Sequence, residues 1–277
     1  MARARPIGLA LLALAVAWLL LRVCPPLASG LANGLGPTGG ELVFVLCVYM
    51  PLLLLAIGAG LLARTGALRL GGHPSARLTA GLALGVVGLG LAVAYCALAG
   101  TLQRAGGASV SSVLALGLVA IAVQVLAEEA LFRGVVQPLL VRGLGSLGGV
   151  AGAAVAFAGL HAASGAAGPL VLVNMLLGGI LFGYLALRSG GIAGAFGAHL
   201  AWNAGEQLGF GLDPNPGTGG FGALIDFDLV GAARWGGSED GLNGSWAMAL
   251  ALMALLAFVL LGGRSKQDDR RGAARAA

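Results

Sequence analysis

Long apolar stretches follow one another along the chain, and short segments between them carry most of the charged residues. A helix needs about twenty consecutive apolar residues to cross the hydrocarbon core of a bilayer. Read at that length, the pattern predicts about eight spans, near residues 6–24, 42–63, 78–99, 110–138, 147–163, 169–187, 190–210 and 245–262. The predicted fold is therefore all-α, a polytopic bundle of transmembrane helices.

These spans divide the chain into five parts. The parts are helices one to three (1–109), helices four to seven (110–210), an outer Gly/Pro-rich loop (211–244), the last helix (245–263) and a charged cytoplasmic tail (264–277). The tail is interpreted as disordered. The outer loop fits either a lid or a spacer, and the spacer is favoured because Gly/Pro-rich acidic loops persist without a function.

Basic residues are distributed unevenly between the two sets of predicted loops. With the N-terminus in the cytoplasm, 12 of the 16 basic residues lie on the inner side, whereas Arg22, Arg104 and Arg234 lie outside and Arg133 lies within a span. The positive-inside rule therefore predicts that both termini are cytoplasmic. The protein is expected in the cell membrane as a multi-pass protein, and its Ala, Gly and Arg content with a single Lys favours a prokaryotic inner membrane.

Composition narrows the choice of partners. The chain is 58% hydrophobic and only 10% charged, so the lipid bilayer is its expected surrounding. The net charge of +5 does not indicate nucleic acid, because the arginines lie singly between apolar stretches and form no basic face. The three cysteines, Cys24, Cys47 and Cys96, indicate neither a disulfide framework nor a cysteine metal site.

A few polar residues interrupt the otherwise uncharged spans. They are Glu128, Glu129 and Arg133 in the fourth span, His161 in the fifth, and His199 and Asn203 in the seventh. A charge near the bilayer centre costs about 3 kcal/mol on insertion scales, so such residues usually face a partner or a water-filled cavity. Counting along the helices from the inner loops predicts that Glu128, His161, His199 and Asn203 converge near the middle of the membrane.

Spacing along the helices assigns partners to these residues. Residues four apart share a helical face, so Glu129 is expected to pair with Arg133, and His199 to share a face with Asn203. Glu128 then points elsewhere and has no cation on its own helix. It is the candidate general base.

The three motifs are EExxxR (128–133), FxxxH (157–161) and HxxxN (199–203), and in this order they resemble the signature of the CPBP family of type II CAAX prenyl endopeptidases and bacteriocin-immunity proteins. The resemblance implies hydrolysis of peptide bonds within the membrane. Glu128 and His161 would activate a water, Glu129 and Arg133 would set the electrostatics, and His199 and Asn203 would donate hydrogen bonds to the oxyanion. Membrane proteins or peptides, prenylated ones among them, are the implied substrates.

Two questions stay open at this point. A Glu with two His residues is also a catalytic zinc set, so zinc held by Glu128, His161 and His199 is the alternative to metal-free chemistry, which is slightly favoured because no HExxH motif occurs. A proton-coupled transporter is the alternative function, with Glu128 and His161 as a relay, although no internal repeat supports it. A non-catalytic immunity or scaffold protein is the other alternative.

Overall fold

Helices form most of the molecule, as a computed structural model of residues 3–105, 113–165, 168–215 and 220–276 shows, with side chains described as far as residue 262. The helices are α1 (Ala4–Ala32), α2 (Pro37–Phe44), α3 (Met50–Ala63), α4 (Pro74–Leu98), α5 (Leu114–Leu131), α6 (Gln137–Ala163), α7 (Pro169–Ser189), α8 (Ala193–Ala204) and α9 (Trp246–Ala276). The predicted helical architecture is confirmed.

Three π-helical turns lie within or at the end of these helices. Val45–Tyr49 joins α2 to α3, Phe132–Val136 joins α5 to α6, and Gly205–Gly209 extends α8. Such turns are rare and often lie at functional sites. The second turn contains Arg133.

Five helices in the described parts of the chain are long and apolar enough to cross a membrane: Ala4–Ala32, Pro37–Ala63, Pro74–Leu98, Leu114–Ala163 and Pro169–Ser189. The helix Leu114–Ala163 covers the predicted span 147–163 and residues 114–138 of the predicted span 110–138, but Gly145 breaks its helical geometry with φ 80° and ψ 173°. The first residues of the predicted span 110–138 lie outside the described residues. The count of about eight spans and the orientation of the termini stay predictions.

A small sheet that the sequence did not predict accompanies the helices. Strand β3 (Phe227–Leu229) lies between β1 (Leu102–Arg104), which is antiparallel to it, and β2 (Leu212–Asp213), which is parallel to it. Strands of two or three residues are too short to produce an alternating sequence pattern, which explains why the sequence did not predict them.

The described part of the 211–244 loop packs against the helices. Phe221 is fully buried against Gly117 of α5 and Leu208 at the end of α8. The Asn174 amide nitrogen of α7 donates hydrogen bonds of 2.8 and 2.9 Å to the carbonyl oxygens of Asn243 and Ser245. The loop is thus a packed part of the bundle, although its residues 216–219 lie outside the description.

The prediction that the tail is disordered is also corrected. Helix α9 continues to Ala276, so residues 264–276 are helical and do not form the disordered end that the sequence predicts. The apolar part of this helix is Trp246–Gly262. The helix can continue beyond its apolar part because Arg, Lys and Gln, which occur in the segment that follows, have high helix propensity.

Helices α4 and α8 approach each other until their backbones are in contact. A Cβ added at Gly81 would meet the carbonyl oxygen of Gly194, and one added at Gly85 would meet that of Ala198. Small residues permit this approach between membrane helices. The contact fixes the position of α8, which carries His199.

Replacing Gly85 with Ala should therefore destabilise the bundle by about 2 kcal/mol, because the new methyl group overpacks the α4–α8 contact. Gly90 on the same helix has nothing within 4 Å of an added Cβ, so Gly90→Ala is the matched control. Thermal unfolding in detergent measures both variants. Equal unfolding temperatures for the two variants would show that the backbone contact does not limit stability.

Candidate active site

Glu129 is the most enclosed acid of the candidate site. Its side chain is 0% exposed, and its Oε1 lies 3.1 Å from Nη1 of Arg133 and 2.9 Å from Nδ1 of His199. The pairing with Arg133 that the four-residue spacing predicts is confirmed. The contact with His199 joins α5 to α8 and was not predicted.

The Arg133 guanidinium group lies among three aromatic rings. Its Cζ is 4.8 Å from the ring centre of Phe157, 5.4 Å from that of Phe182 and 5.7 Å from that of Phe132. Its Nη2 also donates a 3.3 Å hydrogen bond to the carbonyl oxygen of Gly179. The negative faces of aromatic rings stabilise a desolvated cation, so this enclosure supports a charged arginine inside the bundle.

Glu128 has different surroundings from its neighbour in sequence. Its side chain keeps 11% exposure, and its Oε2 lies 3.8 Å from Nε2 of His199, which is beyond hydrogen-bonding distance. Within the described residues it makes no hydrogen bond. The two acids are thus separated into one that is neutralised and enclosed, and one that is available for a further interaction.

His161 is half-buried near the end of α6, and its Nδ1 lies 2.9 Å from the carbonyl oxygen of Phe157. A carbonyl oxygen only accepts hydrogen bonds, so Nδ1 must carry the proton and a neutral ring has its lone pair at Nε2. The ring centre lies 4.3 Å from that of Phe157, which in turn lies 6.3 Å from that of His199. Phe157 therefore lies between the two histidines.

His199 is held from two sides. Its ring stacks on Phe182 at 4.8 Å with an interplanar angle of 15°, and its Nδ1 faces the Glu129 carboxylate. This leaves Nε2 directed toward Glu128. Asn203 follows one turn later on α8, where it is half-buried and makes no hydrogen bond with the described residues.

Two features of this region were missed in the sequence. Phe182 was overlooked because an aromatic residue in an apolar span is ordinarily a packing residue. Glu206 is a 5% exposed acid whose Oε2 accepts a 3.1 Å hydrogen bond from Nε1 of Trp202. It lies inside the predicted span 190–210, so the same search for charged residues in apolar spans would have found it.

Glu128, His161 and His199, which the sequence suggests as possible zinc ligands, are not arranged as a three-ligand metal site. The described residues contain no group of three or more His, Cys, Asp or Glu side chains arranged to hold a metal ion. Glu128, His161 and His199 lie in the same region, and Nδ1 of each histidine faces a protein oxygen, which leaves Nε2 as the atom through which either ring could contact a further group.

The region that contains these residues is similar to a known protein family. Residues 110–205 match the family model described as Rce1-like, type II CAAX prenyl endopeptidase. The predicted resemblance is thereby confirmed over a segment that includes all six candidate residues, and the family is one of proteases. No curated protein and no solved structure matches the chain.

Replacing Arg133 with Met should lower the free energy of unfolding by about 3 kcal/mol, because it leaves the Glu129 carboxylate buried without its guanidinium partner. Thermal or denaturant unfolding in detergent measures the loss. The double variant Glu129→Gln/Arg133→Met removes both charges and should recover part of the stability. Losses that simply add in the double variant would mean that the two side chains do not interact.

Proposed function

We propose that the chain is an intramembrane endopeptidase of the CAAX protease type, which hydrolyses peptide bonds of membrane-associated proteins or peptides with a water activated by Glu128. The observation that supports this proposal most directly is that two adjacent acids, Glu128 and Glu129, have different surroundings. Glu129 lies 3.1 Å from Arg133 and 2.9 Å from His199, whereas Glu128 makes no hydrogen bond with the described residues, lies 3.8 Å from Nε2 of His199 and keeps 11% side-chain exposure. A general base needs that freedom to reach its substrate proton.

In the proposed reaction, the Glu128 carboxylate accepts a proton from water while the water oxygen attacks the carbonyl carbon of the scissile peptide bond. Neutral His161 helps to orient this water. Its Nδ1–H donates to the carbonyl oxygen of Phe157, so its Nε2 lone pair accepts a hydrogen bond from the water. The carbonyl oxygen becomes an oxyanion. When the C–N bond breaks, the proton held by Glu128 passes to the departing amine, and the carboxylate is restored.

His199 and Asn203 are the proposed donors to the oxyanion. They lie one turn apart on α8, and Asn203 has a side-chain amide that no described residue engages. His199 can donate from Nε2 when both ring nitrogens carry protons. That state also balances charge, since Glu128 and Glu129 then face two cations, Arg133 and His199. Removing one such donor typically slows acyl transfer by about 10² to 10³.

The proposed substrates are proteins or peptides held in the bilayer, prenylated ones among them, and the proposed location is the prokaryotic inner membrane. The apolar faces of the bundle support a membrane setting. Leu62, Leu98 and Leu147 are 90%, 85% and 86% exposed, which is favourable in lipid and unfavourable in water. Such an enzyme meets its substrate within the membrane plane.

Glu128→Gln and His161→Ala should each reduce cleavage of a membrane-peptide library by at least about 10²-fold, because each removes a group that acts on the attacking water. Cleavage is followed by mass spectrometry with purified protein in liposomes. The matched controls are Glu239→Gln, an exposed acid of the 211–244 loop, and His73→Ala, the remaining histidine of the chain, at the start of α4.

Both controls should cleave like the wild type, and circular dichroism checks that all four variants fold. A folded wild type that cleaves no peptide of the library, or a Glu128→Gln variant that cleaves at the wild-type rate, would contradict the protease proposal.

A further inference from the structure

A cavity lies away from the candidate active site, where α3 ends and the chain turns back toward the bundle. Its volume is about 480 Å³, and it is lined mainly by apolar side chains together with two arginines: Ile57, Leu61, Ala67, Leu68, Arg64 and Arg69. Leu61 is 75% exposed beside it, which makes this side of α3 a lipid-facing surface. The cavity therefore opens where acyl chains would reach it.

The two arginines of this cavity carry uncompensated charge. Arg64 and Arg69 are both exposed, and neither forms an ion pair with a carboxylate among the described residues. The carbonyl end of α3 does not neutralise them either, because Arg142 donates hydrogen bonds of 2.9 and 2.8 Å to the carbonyl oxygens of Ala63 and Arg64. The cavity thus combines apolar walls with two free cations at its rim.

The backbone shows that this cavity is a formed feature of the bundle. Arg64 has a positive φ of 51°, which non-glycine residues rarely adopt, and the Arg69 amide donates a 2.8 Å hydrogen bond to the carbonyl oxygen of Gly66. The turn brings Ala67, 5% exposed, against Gly60 of α3 and Gly134 of the π turn that contains Arg133. A ligand that filled the cavity would support this packing.

We propose that the cavity binds one anionic phospholipid, with an acyl chain along Ile57, Leu61 and Leu68 and the headgroup phosphate between Arg64 and Arg69. Charge complementarity and the lipid-facing position favour this occupant, since basic pockets beside membrane helices suit acidic headgroups. The bound lipid stabilises the turn at Ala67 and, through Gly134, the region of Arg133. Lipid binding at this cavity does not require the proposed proteolysis.

Binding can be measured without any substrate. Purified full-length protein in neutral detergent is titrated with short-chain phosphatidylglycerol, with phosphatidylcholine of the same chain length, and with inorganic phosphate, while thermal unfolding is recorded. Phosphatidylglycerol alone should raise the unfolding temperature. Arg64→Gln/Arg69→Gln should weaken its binding about 25-fold, since one basic residue near an anionic lipid contributes about a factor of five.

The matched control is Arg5→Gln/Arg77→Gln, which removes the same charge from two exposed arginines that do not line the cavity. It should respond to phosphatidylglycerol like the wild type. The proposal is overturned if phosphatidylcholine or inorganic phosphate stabilises the wild type equally, if no lipid stabilises it, or if the control variant loses the response to the same extent.

Discussion

A carboxylate that is fully enclosed by protein must be matched by charge, and the contacts of Glu129 with Arg133 and His199 meet that requirement here. Much of the site depends on this one interaction. It joins α5 to α8, sets the ring of His199 and leaves Nε2 directed at Glu128. An isolated ion of this size in a medium of low dielectric would be strongly unfavourable, so the three groups have to remain together. The acid beside them, Glu128, makes no hydrogen bond with the described residues.

Packing between the helices holds these side chains in their positions. The backbone contact of α4 with α8 leaves no room for α8 to shift, and Phe182 of α7 fixes the His199 ring by stacking. Aromatic rings from three segments enclose Arg133, so its charge is held by ring faces as well as by Glu129. Catalytic groups have to be held to within a fraction of an ångström, and packed helices achieve this better than loops.

The sequence predicted contacts between residues of the same helix, because the helical repeat fixes which residues share a face. The pairing of Glu129 with Arg133 is an example. It could not predict contacts that depend on the rotation of one helix against another, such as Glu129 with His199, or the aromatic rings around Arg133. The small sheet escaped because its strands are shorter than any periodic pattern. Four-residue glycine spacing could not show that Gly81 and Gly85 make the close α4–α8 contact, because the spacing does not identify the facing helix.

The proposed mechanism gives the two adjacent glutamates separate roles, Glu128 in chemistry and Glu129 in holding the site. Measuring the cleavage rate and the unfolding temperature of Glu128→Gln and Glu129→Gln in the same liposome preparation tests it most directly. We expect Glu128→Gln to lose cleavage at an unchanged unfolding temperature, and Glu129→Gln to lower the unfolding temperature because Arg133 loses its buried counter-charge. Equal unfolding temperatures for the two variants, or a Glu128→Gln variant that cleaves normally, would contradict it.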